Sequence, residues 1–109
     1  MVDQAIIEKI QKIVGRENVL ADKESRICYS YDATTQKYMP ELVVFPHTPG
    51  EISQIMRLAN ESHFPVVPRG AGTGFTGGTL PVEGGVVLVL VKMNKILKID
   101  PENLLAIVE

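Results

Sequence analysis

The residues best suited to chemistry are the glycines of one short stretch, Val66 to Gly85, together with Arg69. Seven of the nine glycines in the 109-residue chain lie there: Gly70, Gly72, Gly74, Gly77, Gly78, Gly84 and Gly85. Glycine tolerates positive φ and lets a ligand approach the main chain, and successive amide N–H groups bind anions. With an arginine beside them, the glycines predict a site for phosphate or pyrophosphate.

Two nucleotide-binding motifs match this stretch in part and fail on context. Gly72 to Gly77 fits G-x-G-x-x-G, but the dinucleotide fingerprint needs a helix directly after the glycines and an acid about 20 positions later. The glycines and proline of residues 78–85 exclude that helix, and Lys92 stands where the acid would be. The P-loop pattern nearly fits Gly72 to Thr79, but position 78 is glycine instead of lysine. We therefore expect a glycine loop between two strands, with no helix dipole behind the phosphate.

The loop and the residues after it resemble a known family. Pro68 to Gly74 is followed by Gly77-Gly78, then Gly84-Gly85, an apolar run and Met93-Asn94. This pattern is similar to the pyrophosphate loop of FAD-linked oxidases of the vanillyl-alcohol-oxidase type, whose FAD domain is of the PCMH type. Within that family it resembles the FAD-binding subunit of glycolate oxidase and the D-lactate dehydrogenases. The likeness spans residues 22–109 and is most specific in the loop.

The resemblance implies an FAD-dependent enzyme that oxidises a 2-hydroxy acid such as glycolate or D-lactate, with a separate electron acceptor reoxidising the flavin. The residues it assigns to FAD are Pro68, Arg69, Gly70, Ala71, Gly72, Thr73, Gly74, Gly77, Gly78, Met93 and Asn94. Some relatives carry the flavin covalently on a loop histidine. Because Thr73 stands at that position, the FAD is expected to be noncovalent. The family's catalytic base and substrate groups lie in later segments, so no catalytic residue is assigned and the isolated chain is expected to be inactive.

Other interpretations of the glycines remain open. A noncatalytic module could bind a nucleotide or another phosphate with the same loop, and the glycines could simply serve turns in a packing unit. A flexible linker is less consistent with the apolar, β-branched runs on both sides of the loop. His47 and His63 fit surface or capping positions, Arg69 fits a phosphate contact or a structural one, and Phe75 fits either the flavin site or packing of the loop.

Composition excludes several classes of protein. The net charge is −2 and 22% of residues are charged, which does not suggest a nucleic-acid surface. Cys28 is the single cysteine, so neither an internal disulfide nor a cysteine-based metal site is expected. We expect Cys28 to be half-buried and unreactive. The N-terminus does not resemble a signal peptide, and the expected location is the cytoplasm or, for the parent protein, the inner face of the membrane.

Local patterns indicate the elements around the loop. Leu42 to Phe45 is typical of a short buried strand. Thr48 to Glu51 is a capping box with proline at the first helical position, and apolar spacing from Ile52 to Ala59 continues that helix. Pro65 to Pro68 predicts a second strand, parallel to the first in a βαβ unit. The fold class is therefore α/β (α+β), with a small parallel sheet that places the glycines at the carboxyl ends of its strands.

The N-terminal part reads as a lead-in to this unit. Asp3 can cap a helix that ends at Gly15 and carries one apolar stripe, Ile6, Ile7, Ile10, Ile13 and Val14. A helical turn is expected within Asp22 to Tyr29 and irregular structure after it. We assign residues 1–40 to this helix and lead-in, and residues 41–109 to the first subdomain of an FAD-binding domain that continues beyond the chain.

Downstream of the loop, Val86 to Val91 predicts a central strand that is buried on both faces. Ile99 to Asn103 reads as a turn, and Leu104 to Val108 as an exposed apolar strand. Such a strand needs a partner. We expect the remainder of the FAD domain there, or a second copy of the chain in a homo-oligomer.

Overall fold

The computed structural model describes all residues, 1–109. It contains helices α1 (Gln4–Val14), α2 (Lys23–Cys28) and α3 (Pro49–Ser62), and a 3₁₀ turn at Arg16–Asn18. The predicted caps are confirmed, since the side chains of Asp3 and Thr48 accept hydrogen bonds from Ile6 N and Glu51 N. None of the helices has the length and apolar character needed to cross a membrane.

The main sheet has four strands in the order β1-β2-β4-β3: β1 (Val19–Leu20), β2 (Leu42–Val44), β4 (Val86–Val89) and β3 (Val66–Arg69). Strands β2 and β3 both run parallel to β4, and β1 is antiparallel to β2. The predicted βαβ unit is confirmed, but its two strands are not neighbours, because β4 lies between them. All four residues of β4 are buried, so the strand with the most apolar sequence occupies the centre.

Helices α1 and α3 cover one face of this sheet. Their buried side chains Ile6, Ile10, Val14, Ile55, Leu58 and Ala59 form one cluster with Leu42, Val44, Val86 and Leu88 of the strands. On the other face, Val43, Val87 and Val89 pack with the partly buried Leu20, Tyr29, Phe45 and Val67. Tyr29, which caps the C-terminus of α2 at the end of the predicted helical turn, therefore packs on the second face of the sheet.

The last strands form a separate hairpin, β5 (Ile96–Asp100) and β6 (Leu105–Val108). The turn predicted over residues 99–103 is confirmed at Pro101 to Asn103, but it begins two residues later than expected, because Ile99 and Asp100 belong to β5. Leu104 was expected to begin the last strand, but its φ of 54° places it in the turn. Every residue of β6 is exposed, as predicted. Strand β1 was also missed, since two residues carry too little periodicity to indicate a strand.

Candidate functional site

The glycine loop, residues 70–85, joins the carboxyl end of β3 to the amino end of β4 and contains neither helix nor strand. Strands β2, β3 and β4 are parallel, so the loop starts at the sheet edge where α/β proteins bind ligands. The absence of a helix after Gly78, predicted from its glycines and proline, is confirmed.

The seven glycines divide between the two edges of the sheet. Gly70 to Gly78 lie in the part of the loop that begins at the carboxyl edge. Gly85 lies at the opposite edge, where its carbonyl accepts from Glu41 N at 2.8 Å and its N–H donates to Glu41 Oε2 at 2.9 Å. A Cβ on Gly85 would overlap the backbone carbonyl of Pro65. This second group of glycines therefore serves strand entry and not the ligand site.

A cleft of about 500 Å³ opens at the carboxyl edge. It is lined by residues from three parts of the chain: Cys28, Tyr29 and Tyr31; Arg69, Gly70, Ala71, Gly72 and Thr73; and Val89 and Val91. Its volume falls within the range of small-molecule pockets. Arg69 is the only charged residue in the lining, so the cleft favours an anion.

The amides of the loop are available to such an anion. None of the ten successive N–H groups from Gly70 to Thr79 donates a hydrogen bond within the chain, and Leu80 N is the first that does, to Gly77 O at 3.1 Å. The hydroxyl of Thr79 is buried without a hydrogen-bond partner. Buried polar atoms are normally paired, so an unpaired hydroxyl beside free amides fits a bound polar group.

Gly72 and Arg69 fit together tightly at the start of the loop. Gly72 has a φ of +72°, and a Cβ on it would overlap the Arg69 guanidinium. Gly77 is also at positive φ, +75°, with ordinary space around it. Gly70 and Gly74 have no heavy atom within 4 Å of where a Cβ would lie, which leaves their main chain open to a ligand.

Arg69 makes a structural contact as well as lining the cleft. Its side chain is buried, with 6% of the residue exposed. Nη1 donates to the carbonyl of Tyr31 at 2.5 Å, and the guanidinium carbon lies 5.5 Å from the centre of the Tyr29 ring. Arg69 therefore makes the structural contact that the sequence offered as one alternative. It also lines the cleft, where its charge can contact a phosphate.

The lead-in segment, residues 29–34, is bound to the loop by one main-chain hydrogen bond and is held in a turn by its own side chains. Ala33 N donates to Gly74 O at 3.3 Å. The buried Asp32 accepts from the hydroxyl of Thr34 at 2.5 Å and from its N–H at 2.7 Å. The hydroxyl bond, then the N–H bond and, more weakly, the charge of Arg69 lower the pKa of Asp32 below its usual 3.8. Asp32 therefore stays ionised and holds the segment in its turn.

The structure brings some of the predicted site residues together and leaves others apart. Arg69 to Thr73 line the cleft, whereas Gly74, Gly77 and Gly78 follow in the same loop outside the lining. Pro68 is exposed in β3, and Met93 and Asn94 follow β4 without lining the cleft. Phe75 is 80% exposed, so it does not pack the loop onto the body of this chain.

Sequence reasoning missed Tyr29, Tyr31 and Thr79, which carry no motif of their own. Cys28 was expected to be half-buried, but it is exposed and lines the cleft. The error arose because α2 buries none of its residues, and Cys28 lies in its last turn. His63 caps the C-terminus of α3 in the left-handed region and His47 is exposed, as predicted for surface or capping positions.

The fold and the loop define an FAD-binding domain. The family described as "FAD binding domain" matches residues 40–109, and the chain belongs to this family. It is 44% identical over 110 residues to the glycolate oxidase subunit GlcD of Bacillus subtilis, covering all of this chain and 23% of that protein. It is 39% identical over 100 residues to a D-lactate dehydrogenase of Anaerostipes hadrus, covering 90% of this chain and 21% of that protein.

Solved structures share the fold. The chain superposes on p-cresol methylhydroxylase with a TM-score of 0.78 at 30% identity, over 93% of this chain and 21% of that one. An alkyldihydroxyacetonephosphate synthase gives a TM-score of 0.81 at 23% identity, over 95% of this chain and 22% of that one, which shows the fold alone. The predicted fold class, a mostly parallel α/β sheet of a PCMH-type FAD domain, is confirmed. The chain spans less than a quarter of the length of these proteins.

Proposed function

We propose that the chain is the pyrophosphate-binding part of an FAD-dependent oxidoreductase that oxidises a 2-hydroxy acid such as glycolate or D-lactate. The observation that carries the proposal is the row of ten unpaired amides from Gly70 to Thr79 beside the buried Arg69. Membership of the FAD binding domain family supports the cofactor. The names of the relatives from B. subtilis and A. hadrus support the substrate class.

In this proposal the chain binds and orients the cofactor. The loop amides donate to the pyrophosphate oxygens, and the fixed charge of Arg69 favours that anion without a helix dipole. FAD, when bound, supplies the hydride acceptor for the 2-hydroxy acid. No side chain of residues 1–109 is assigned to the proton of the substrate, so these residues contribute affinity and geometry.

We infer that the FAD is held noncovalently. Thr73 occupies the loop position where some relatives attach the flavin to histidine, and the loop contains no histidine. Acid precipitation of the flavin-loaded protein should release all of the yellow chromophore into the supernatant. Flavin retained in the washed pellet would contradict noncovalent binding, while leaving the proposed cofactor unchanged.

The test of the function uses the product of the complete reading frame that contains residues 1–109. After gel filtration we expect flavin absorbance in proportion to protein, and dye reduction that depends on glycolate or D-lactate. L-Lactate serves as the stereochemical control. A protein that cannot be loaded with FAD would contradict the proposal, and a protein that binds FAD but reduces no dye with either acid would refute the substrate class.

A noncatalytic module is the second candidate. Main-chain amides bind the pyrophosphate of many nucleotides equally well, and the cleft contains no paired acid and base. Competition between FAD and ADP for the complete product distinguishes the two. Equal affinity for both, with no turnover, would favour the module, and a clear preference for FAD would favour the enzyme.

We also propose that the β5–β6 hairpin is an interface. In the strand register Ile99 lies opposite Ala106 and Ile96 opposite Val108, so these four share one face. The three large side chains among them are more than half exposed. An uncovered apolar hairpin is a pairing surface, and a second copy of the 109-residue chain is the partner we propose for the chain on its own.

A further inference from the structure

We propose that the lead-in segment, residues 29–34, forms part of the cofactor site and that the hydroxyl of Tyr31 is a ligand of the pyrophosphate. This inference rests on the proposed function. The segment lies before residue 40, where the match to the FAD binding domain family begins. The proposal therefore extends the cofactor site beyond the glycine loop, to residues that precede the matched region.

Tyr29 and Tyr31 line the same cleft as Arg69 and the first glycines of the loop. Neither tyrosine hydroxyl has a hydrogen-bond partner within the chain, whereas the hydroxyl of Tyr38 bonds Gln36 Oε1 at 3.3 Å. Tyr31 is 45% exposed. An unpartnered phenol O–H, on a residue that lines an anion-favouring cleft, is suited to donate to a phosphate oxygen.

The segment is held in place before any ligand binds. Arg69 Nη1 donates to Tyr31 O, and Ala33 N donates to Gly74 O at 3.3 Å, so two hydrogen bonds join the segment to the β3 end and the loop. On its other side, Tyr38 N donates to Ser30 O at 2.8 Å. Fixing a binding group in advance reduces the entropy lost when the ligand is bound.

The two tyrosines have different surroundings. The Tyr29 ring is half-buried, meets Phe45 edge-on at 5.7 Å between centroids and lies under the Arg69 guanidinium. These contacts make Tyr29 a support for Arg69. Tyr31 contributes only its carbonyl to Arg69, which leaves the side chain free for the ligand. The ligand role therefore falls to Tyr31.

The experiment compares FAD affinity of the apo form of the complete reading-frame product in three versions: wild type, Tyr31→Phe and Tyr38→Phe. Quenching of flavin fluorescence gives Kd. We expect the Kd of Tyr31→Phe to rise about tenfold, the size of a hydrogen bond to a charged group, and that of Tyr38→Phe to stay at the wild-type value. Circular dichroism and Tm should be the same in all three.

The probes separate failure of this inference from failure of the proposed function. A wild type that does not bind FAD contradicts the proposed function. A wild type that binds FAD together with a Tyr31→Phe variant of equal affinity overturns the role of Tyr31 alone. Riboflavin, which has no phosphate, should bind both versions equally. A matching loss of riboflavin affinity in Tyr31→Phe would show contact with the ring system and overturn the assignment to the pyrophosphate.

Discussion

The guanidinium of Arg69 occupies the space beside the Cα of Gly72 where a side chain would otherwise lie. Gly72 is therefore required twice, for its φ of +72° and for the room that it leaves to the arginine. The arginine in turn donates to the carbonyl of Tyr31. The turn of the loop, the buried charge and the lead-in segment thus form one unit.

The first prediction is that Gly72→Val strongly lowers FAD occupancy of the complete reading-frame product and leaves the fold largely intact. A β-branched residue at positive φ adds strain of about 1–3 kcal/mol, which corresponds to roughly fivefold to 150-fold in Kd if the strain falls on the binding conformation. Gly77→Val should also lower FAD occupancy, because Gly77 is at positive φ, although a Cβ there would not clash with a neighbour. Thr73→Ala should lower FAD occupancy less, because it removes at most one hydroxyl hydrogen bond and leaves the main-chain N–H in place.

Gly50→Ala is the matched control for these variants. Gly50 lies in the first turn of α3, and a Cβ there would meet nothing closer than Thr48 Oγ1 at 3.7 Å. Flavin absorbance per protein after gel filtration measures occupancy, and circular dichroism measures folding. Full flavin content in both valine variants would show that the loop does not hold the cofactor.

Gly85→Ala should affect stability and spare the site. The added Cβ would overlap the carbonyl of Pro65 at the amino edge of the sheet, and φ at this glycine is +72°. We expect the free energy of unfolding to fall by about 1–3 kcal/mol, as measured by urea denaturation. FAD affinity of the folded protein should match the wild type, and a loss of affinity without a loss of stability would contradict our division of the glycines.

Arg69→Met should loosen the lead-in segment as well as weaken FAD binding. The variant keeps an apolar stem of similar length and removes both the hydrogen bond to Tyr31 O and the charge over the Tyr29 ring. Amide exchange at Ala33, which bonds Gly74 O, should become faster, and the Kd for FAD should rise about tenfold or more.

Arg69→Lys separates charge from geometry. Lysine keeps the charge but not the planar fork, so it should restore part of the FAD affinity and little of the exchange protection at Ala33. Unchanged protection in both variants would mean that the arginine does not hold the lead-in segment.

Acid should release the same segment. The pKa of Asp32 is lowered in the folded state, chiefly by the Thr34 hydroxyl and N–H, so its contribution to stability is complete above about pH 3.8 and is lost as the pH falls through the lower folded value. We expect the protection of the Ala33 amide, measured against its intrinsic exchange rate at each pH, to fall in that range below pH 3.8. Asp32→Asn should remove this pH dependence. If the variant and the wild type lost protection at Ala33 over the same pH range, Asp32 would not be the group responsible.

The last prediction concerns the hairpin. Ile99→Lys places a charge on its apolar face and should convert the self-associated 109-residue chain into a monomer. Size-exclusion chromatography with light scattering measures the mass. Lys98→Ala, on the opposite face of the hairpin, is the control and should leave the association unchanged. A wild-type chain that is monomeric at high concentration would refute self-pairing.

Local patterns in the sequence were sufficient to predict α1, α3 and the strands of the parallel unit. Caps and proline positions depend on neighbouring residues, and β-branched apolar runs favour buried strands whatever surrounds them. Strands β1 and β5 were missed, because β1 has two residues and β5 buries none of its apolar side chains. Their existence depends on a strand partner that local pattern does not identify.

By itself, the sequence determined that a glycine-rich loop beside an arginine would follow the carboxyl end of a strand, because backbone freedom and charge belong to the residues themselves. Only the tertiary structure decided which glycines lie at the cleft and which lie at the opposite edge of the sheet. It also placed Tyr31 against Arg69, 38 positions further along the chain. That contact arises because Tyr29 packs on the second face of the sheet and the residues after it lie beside the loop. Packing between such distant segments is not encoded by local spacing.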